Sequence, residues 1–436
     1  MTARMPVVWI GYTTRYRSGG ALLQRAAETL AAEVAASGGV EVRCHPVHTK
    51  RAFVDAMAAI APATLRHLHF VGHSGMYGPM FGTTDLPEQF SPHEWAQLSL
   101  PFADDGMASF HACRTGRWFA PFFADVFGVP CGGNHWYTTF SRRRDRFVPV
   151  RSDRGPVYVI AQPGRTSHGL WGAVGKRMGW LRPEPMTYHR PPPRIGQRDL
   201  HRRSSYDAVA EAYDTAFSDI RVRAPEWRWL SARVAPGARV LDLGCGTGAL
   251  LRALAPRLAE GVGVDASASM LAQARRRGGD RLRFLRSDRP VLPVPDDSVD
   301  VVVSLLSWRY LDWDPMLAEV LRVLRPGGRL LVVDMVTKAA GWRDLPQVAS
   351  DRWRRRNTRA VFPTFEKDIR RLVSLPAWEE MLRHNPIRAE HELRWFFESR
   401  FPGRRCERLD TGWTTRVLAF DSGPVRTTWV PPQSYP

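Results

Sequence analysis

The sequence predicts an α/β protein of two domains, each built on a mostly parallel sheet. Three observations carry this. A chain of 436 residues is long enough for two or three full cores. Short apolar runs alternate with stretches of helical spacing in both halves, and strand–helix alternation implies parallel strands. Between the halves, Leu181 to Ser204 is rich in proline and arginine around Pro191-Pro192-Pro193. Proline runs favour extended, unpaired backbone. Domains are therefore expected at 1–180 and 204–436, with a linker at 181–203. No internal repeat is visible.

In the first half, Pro6 to Tyr12 reads as a strand, Ala21 to Ala36 as a helix and Val40 to Val47 as a strand. Arg51 to Ile60 follows as a helix and Leu65 to Gly72 as a buried strand. Ser91-Pro92-His93-Glu94 has the form of a capping box with proline at the first helical position. Gly106 to Ala112 is the next strand, Trp118 to Val126 a helix and Val129 to Tyr137 a strand. The runs 147–152 and 157–161 suit a hairpin turning at Asp153-Arg154-Gly155.

Two strand ends here carry reactive residues. His69-Phe-Val-Gly-His73-Ser-Gly75 and Ala108-Ser-Phe-His-Ala-Cys113-Arg-Thr-Gly116 are apolar strands that run into a candidate residue and then a glycine. Neighbouring parallel strands end at one edge, so His73 and Cys113 are expected to meet. A histidine beside a thiol stabilises thiolate, the nucleophile. The pattern resembles the caspase-like cysteine peptidases, particularly the CHAT-type domains, over about residues 7–160. The resemblance implies a caspase-like α/β sandwich with His73 and Cys113 as catalytic residues. Ser74 separates His73 from its glycine, and His111 stands where metacaspases place an acid. A preference for basic cleavage sites is therefore unsupported. The alternative is a retained fold used for docking.

The second half opens on Val240-Leu-Asp-Leu-Gly-Cys-Gly-Thr-Gly-Ala-Leu250, a buried strand, a glycine turn and a helix start. Gly244, Gly246 and Gly248 lack a Cβ, so a ligand can lie on the backbone, and the helix that follows turns free N–H groups toward it. A dinucleotide fingerprint also fits the spacing. Asp242 argues against it, because a carboxylate there would repel a pyrophosphate. It suits a ligand with an ammonium and a sulfonium, S-adenosylmethionine. Gly261 to Asp265 is a second strand, ending in an acid about 20 residues beyond the loop, where a ribose diol can be held. Phe284 to Asp288 is a third and Val299 to Ser304 a fourth; a Pro-Gly-Gly turn leads into a fifth ending near Val333. Cys406 to Leu409 and Thr414 to Asp421 should be the last, antiparallel strands.

This series resembles the class I S-adenosylmethionine-dependent methyltransferases, from Tyr206 to about Asp421. The resemblance implies a Rossmann-like, seven-stranded fold. It implies that Gly244, Gly246 and Gly248 underlie the methionine part, with Asp242 at its ammonium. Asp265 would take the ribose hydroxyls and Asp288 the adenine amino group. Tyr213, on a helix that closes over the cofactor, is the residue expected to face the site. Trp308 and Tyr310, at the mouth after the fourth strand, could stack on the acceptor or on adenine, or pack in the core. The segment 341–403 is long for a connection and reads as a helical lid. Within it His391 is a candidate general base, against the alternative of a solvated helix face.

Composition narrows the partners. The formal charge of +19 invites nucleic acid. Yet the cations are nearly all arginines spread along both halves, the pattern of a GC-rich bacterial genome, so nucleic acid is not expected. No apolar run could span a membrane, and no membrane partner is expected. The N-terminus has no secretory pattern. Five scattered cysteines show neither a disulfide framework nor zinc spacing, which points to a reducing cytoplasm and no metal. The oligomeric state stays open.

The expected function is methyl transfer from S-adenosylmethionine to a peptide, a protein or a small metabolite. The N-terminal half would cleave or recognise a peptide. Two rivals stand beside it. One is a cysteine peptidase with an accessory cofactor-binding domain. The other is a non-catalytic sensor or docking protein that reports cofactor level.

Overall fold

The computed structural model describes residues 5–164, 167, 169–191, 205–288, 290–385 and 387–425. The chain divides into two compact units, with the break between Gln197 and Arg198. Most of the proline-rich stretch lies outside the described residues.

The first unit contains β1 (Val7–Tyr12), α1 (Gly20–Ser37), β2 (Glu41–Pro46), α2 (Lys50–Ala58), β3 (Leu65–Val71) and α3 (Pro92–Gln97). Next come β4 (Phe102–His111), α4 (Phe119–Phe127), β5 (Cys131–Gly133), β6 (Thr138–Ser141), β7 (Tyr158–Ala161), α5 (Leu170–Arg177) and β8 (Thr187–His189). The main sheet has the order β8-β5-β4-β3-β1-β2. Five strands run parallel and β8 lies antiparallel to β5. The capping box is present: Glu94 N–H donates to Ser91 Oγ at 3.0 Å, and Ser91 N–H donates to Glu94 Oε2 at 2.7 Å. On one face Phe53, Phe90, Trp95, Phe119 and Phe123 meet in edge-to-face and tilted contacts. On the other, Leu23, Ala26 and Ala27 of α1 pack on Val8, Ile10 and Val71.

Two expectations are corrected here. The hairpin at residues 147–161 is instead a pairing of β6 with β7, Ser141 opposite Tyr158. Residues 147–152 form no strand. Arg146 and Val148 instead meet the Ser141 hydroxyl, which bonds the Arg146 carbonyl at 2.8 Å and the Val148 N–H at 3.0 Å. Second, part of the stretch read as linker is sheet, since Thr187 to His189 supplies the outer strand β8.

The second unit contains α6 (Ala210–Phe217), α7 (Ala224–Ser231), β9 (Arg239–Leu243), α8 (Ala249–Leu254), β10 (Glu260–Asp265), α9 (Ala268–Arg276), β11 (Leu282–Arg286) and β12 (Val299–Leu305). It continues with α10 (Trp313–Val323), β13 (Leu324–Thr337), α11 (Leu345–Val361), α12 (Phe365–Val373), α13 (Pro376–His384), α14 (Glu390–Arg400), β14 (Glu407–Thr411) and β15 (Thr415–Asp421). Its seven strands are ordered β11-β10-β9-β12-β13-β15-β14. The first five are parallel and β15 runs antiparallel to both neighbours. Central strands buried on both faces need continuous apolar sequence, and Val301, Val302 and Val303 supply it. The order reverses between β9 and β12, which opens a crevice at their C-terminal ends.

Three histidines line one face of the first sheet. His67 Nε2 lies 2.8 Å from Ser109 Oγ, and His69 Nδ1 lies 3.1 Å from His111 Nε2. The rings of His67 and His69 stack at 3.6 Å. Burial lowers His67 to about 4 and His111 to about 4. Both folded values lie below the ordinary 6.5, so the unfolded chain binds more protons between these limits. Stability of this unit should therefore fall as pH drops from about 6.5 toward 4, by on the order of 2–4 kcal/mol at pH 5. Hydrogen-exchange protection at Leu68 and Phe110, corrected for intrinsic rate, should decline accordingly. The double variant His67→Asn, His111→Asn should lose less over the same range; an equal loss would exclude these rings as the cause.

Candidate functional site

The crevice is built from the ends of β9, β10, β12 and β13. The glycine turn after β9 takes three left-handed residues, with φ of 74° at Gly244, 52° at Gly246 and 74° at Gly248. The glycines serve different ends. A Cβ on Gly244 would lie 2.3 Å from the Ser307 Cβ, and one on Gly248 would lie 2.8 Å from the Phe284 ring. One on Gly246 would meet nothing within 4 Å. Gly246 alone therefore faces open space that a ligand can fill.

Asp265, at the end of β10, fixes this turn. Its carboxylate accepts from Gly246 N–H and from Ser267 N–H, each at 2.8 Å. Ser267 then caps α9, accepting from Met270 N–H at 3.1 Å. The sequence assigned Asp265 to a ribose; the structure adds a second task, joining the glycine floor to the next helix. Each oxygen keeps a lone pair for a ligand hydroxyl.

Asp242 is 2% exposed, and its Oδ1 has no hydrogen-bond partner. Burial first, and the Asp265 charge second, raise its carboxyl to about 8. A buried acid without a partner is costly unless a cation arrives. An ammonium at the glycine floor answers that need, so these residues fit S-adenosylmethionine. Asp288 lies beyond β11, exposed, with Arg286 Nη2 4.0 Å from its Oδ2. It is not enclosed by neighbouring side chains.

The mouth after β12 joins Tyr310, which the sequence placed there, to residues it did not single out. Ser307 Oγ donates to the Leu243 carbonyl at 2.5 Å, which ties the mouth to the glycine strand. Arg309 Nη1 pairs with Asp334 Oδ1 at 2.6 Å, and Arg309 N–H donates to Asp334 Oδ2 at 2.8 Å. Arg309 Nη2 donates to the Tyr310 hydroxyl at 2.7 Å, and that hydroxyl lies 2.7 Å from the Tyr206 hydroxyl. Burial, then the Tyr310 hydroxyl, raises Tyr206 well above its ordinary value. Arg309 remains a cation, since Tyr310 and Asp334 outweigh its desolvation. No local motif announces this chain; its four members are up to 128 positions apart in sequence.

Other assignments change. Trp308 is 0% exposed and packs on Phe396 and Phe397. It is a core residue and cannot stack on an acceptor. His391 is exposed on the first turn of α14, 4.3 Å from the Trp395 ring, which fits the solvated-face alternative. The lid also shrinks. Leu393, Phe396, Phe397 and Phe401, in and just after α14, belong to the main core, so α14 is part of the sheet's own packing. The covering helices are α12 and α13, where Leu372, Phe365 and Trp378 cluster with Tyr206, Tyr213 and Phe217 of the N-terminal segment. Tyr213 sits in that seam, 4.7 Å from Phe217 and 5.7 Å from Tyr206.

In the first unit, β3 and β4 are parallel neighbours, so His73 and Cys113 lie at one sheet edge. Ser74 Oγ donates to the Cys113 carbonyl. The two side chains do not bond each other, however. His73 Nε2 lies 3.1 Å from the Ser18 carbonyl, and the Cys113 sulfur lies 3.3 Å from both Thr138 N and Thr138 Oγ1. Among the described residues no cluster of three or more His, Cys, Asp or Glu could hold a metal.

Residues 240–328 match the family model described as "Methyltransferase domain". A demethylmenaquinone methyltransferase of Clavibacter sepedonicus is 40% identical over 139 residues, 30% of this chain and 57% of that protein. One from Thermus thermophilus is 44% identical over 102 residues, 22% of this chain and 46% of that protein. A ubiquinone/menaquinone biosynthesis C-methyltransferase of Hahella chejuensis is 34% identical over 155 residues, 32% and 61%. The chain thus spans about half the length of these curated relatives. Among solved structures, a putative S-adenosylmethionine-dependent methyltransferase of Methanococcus maripaludis aligns over 50% of this chain and 91% of its own, at 19% identity and TM-score 0.33. Residues 240–328, within the second unit, are thus similar in sequence to methyltransferase domains.

Two outcomes follow from this geometry. Gly246→Val should abolish cofactor binding in calorimetry while the far-ultraviolet spectrum stays unchanged, because the new side chain fills ligand space and resists a positive φ. Cofactor binding at pH 7 should release a proton from Asp242, seen as a binding enthalpy that varies with the buffer's ionisation enthalpy. Asp242→Asn should remove that release and weaken binding roughly tenfold to a hundredfold, the loss of a charged hydrogen bond. Binding that stays buffer-independent in the wild type would remove Asp242 from the ammonium site.

Proposed function

We propose that the C-terminal unit transfers a methyl group from S-adenosylmethionine to a small-molecule acceptor with an acidic hydroxyl, of the quinol or enol class. One observation carries the reading: an open glycine floor beside the unpartnered Asp242 oxygen lies at the same sheet edge as a tyrosine hydroxyl pair backed by a cation. Relatives named as demethylmenaquinone methyltransferases support a quinone-class acceptor.

The bound cofactor supplies the methyl carbon on a sulfonium, an activated leaving group. Asp242 would hold its ammonium, Asp265 its ribose hydroxyls and Asp288 its adenine amino group. Tyr310 and Tyr206 would receive the acceptor's oxygen. The Arg309 charge next to Tyr310 favours the anionic oxygen, so the acceptor more readily loses its proton and becomes a better nucleophile. Asp334 keeps the guanidinium in place. In-line alignment then does most of the work. Full-length protein with methyl-labelled cofactor and a panel of demethylated quinols should give a labelled product. Tyr310→Phe should lower kcat by about tenfold to a thousandfold and leave cofactor affinity unchanged. Intact cofactor binding with no label on any hydroxylated ring would refute the acceptor class.

A second reading concerns the N-terminal unit as a caspase-like domain. Arg114, directly after Cys113, is held at φ 59°, uncommon for a residue with a side chain. Such an outlier beside a half-buried thiol at a sheet edge supports a built nucleophile turn. Activity would require His73 to leave the Ser18 carbonyl and approach the sulfur. If it does, Cys113 should alkylate with iodoacetamide faster than a free thiol at neutral pH, and His73→Ala should remove that advantage. Equal rates in both proteins from mildly acidic to mildly basic pH would instead mark a docking domain.

A further inference from the structure

α11 does not look like the other helices of the second unit. Trp342, just before it, is 76% exposed and Trp353, within it, 67%. Helical spacing places Trp342, Leu345, Ala349 and Trp353 along one stripe at steps of three and four residues. All four are exposed, as are Arg352 and Arg356, which flank the stripe. The acids of this segment lie on the other side. Asp351 is wholly buried, where it accepts from Thr411 N–H at 2.8 Å and pairs with Arg354. Asp344 is tied to Arg408 at 3.0 Å and Arg416 at 2.6 Å. Arg355 turns toward Asp410. The inner face is thus charge-neutralised and pinned to β14 and β15. The outer face shows indoles and guanidinium groups with no acid, and Arg352 and Arg356 have no acidic partner among the described residues. Arg343 lies over the Trp342 ring at 5.0 Å.

We infer that this outer face seats the domain on the surface of an anionic lipid bilayer. Indoles prefer the headgroup boundary, where the ring is buried and the N–H stays wet. Arginines beside them meet lipid phosphates, and the absence of acids removes the repulsion that would otherwise oppose contact. The net charge of +19 favours the same partner over long range. The helix is far too polar to span a membrane, and among the described residues no helix is long and apolar enough to do so; the contact is with the surface only. The segment begins a few residues after β13 ends, on the strand that also carries Asp334. Contact there would bring the acceptor edge close to a lipid phase. That last point rests on the proposed quinone-class acceptor; the surface itself does not.

The test uses full-length protein and sedimentation with vesicles of pure phosphatidylcholine, or with added phosphatidylglycerol, at low and physiological salt. Partition should be strong on the anionic vesicles, weak on neutral ones, and reduced by salt. Trp342→Ser with Trp353→Ser, and separately Arg352→Glu with Arg356→Glu, should each weaken it by about tenfold or more. Arg352→Lys with Arg356→Lys should retain it, which separates charge from misfolding, and cofactor affinity should be unchanged in every variant. Equal partition on both vesicle types, or indifference to both double variants, would overturn the inference. So would binding of duplex DNA that the variants abolish while vesicle binding persists. Vesicle binding needs no turnover, so a failure of the methyl-transfer reading would leave this result intact.

Discussion

The Asp265 carboxylate is the contact on which the second unit's site depends. It stands at the end of β10 and accepts from the glycine turn of β9 and from the first turn of α9. Two segments 19 positions apart, the turn after β9 and the β10–α9 junction, are thereby fixed around one pair of oxygens. Without it the left-handed run from Gly244 to Gly248 would have no partner for the Gly246 N–H. The neighbouring Asp242 is held in the opposite condition. It is buried beside a like charge with one oxygen unmatched. A fold that keeps such a group has accepted a local destabilisation that a cationic ligand relieves. One acid organises the floor and the other waits for the ligand.

The same division appears at the mouth. Asp334 fixes Arg309 through both its backbone and its guanidinium, and Arg309 fixes the Tyr310 hydroxyl. Tyr206 reaches this hydroxyl from the N-terminal segment, which α12 and α13 cover with Leu372, Phe365 and Trp378. Asp207 adds a further tie, accepting from Ser267 Oγ at 2.6 Å and from Ser269 N–H at 2.9 Å. The cover and the cofactor floor are therefore joined through the start of α9.

The first unit follows the same architectural rule with different chemistry. Its parallel order places the ends of β3 and β4 side by side and delivers His73 and Cys113 to one edge. Delivery to an edge does not decide the rotamer. The His73 ring is satisfied by the Ser18 carbonyl and lies edge-on to Tyr16, at a centroid distance of 5.6 Å. The thiol is satisfied by Thr138 of β6, a strand outside the main sheet.

The sequence by itself determined the alternation of strands and helices, the two sheets and the order of the cofactor motifs. These are local: a run of valines, a capping box at Ser91, a glycine turn followed by a helix. It also marked Asp242, Asp265 and the three glycines, because each sits at a fixed offset from a strand end. Tertiary structure decided the rest. Trp308 and Tyr310 are two residues apart, yet one is wholly core and the other joins a polar chain; periodicity in a short turn cannot separate them. The segment 341–403 read as one lid because it is long for a connection and rich as a whole in arginine, tryptophan and glutamate, and only packing showed that α14 belongs to the core. Which of three glycines faces open space depended on Ser307, just after β12, and on Phe284 of β11. Asp334, Arg309 and Tyr206 were invisible as a group, because a buried ion pair and its hydrogen bonds are made by distance in space, which sequence separation does not report.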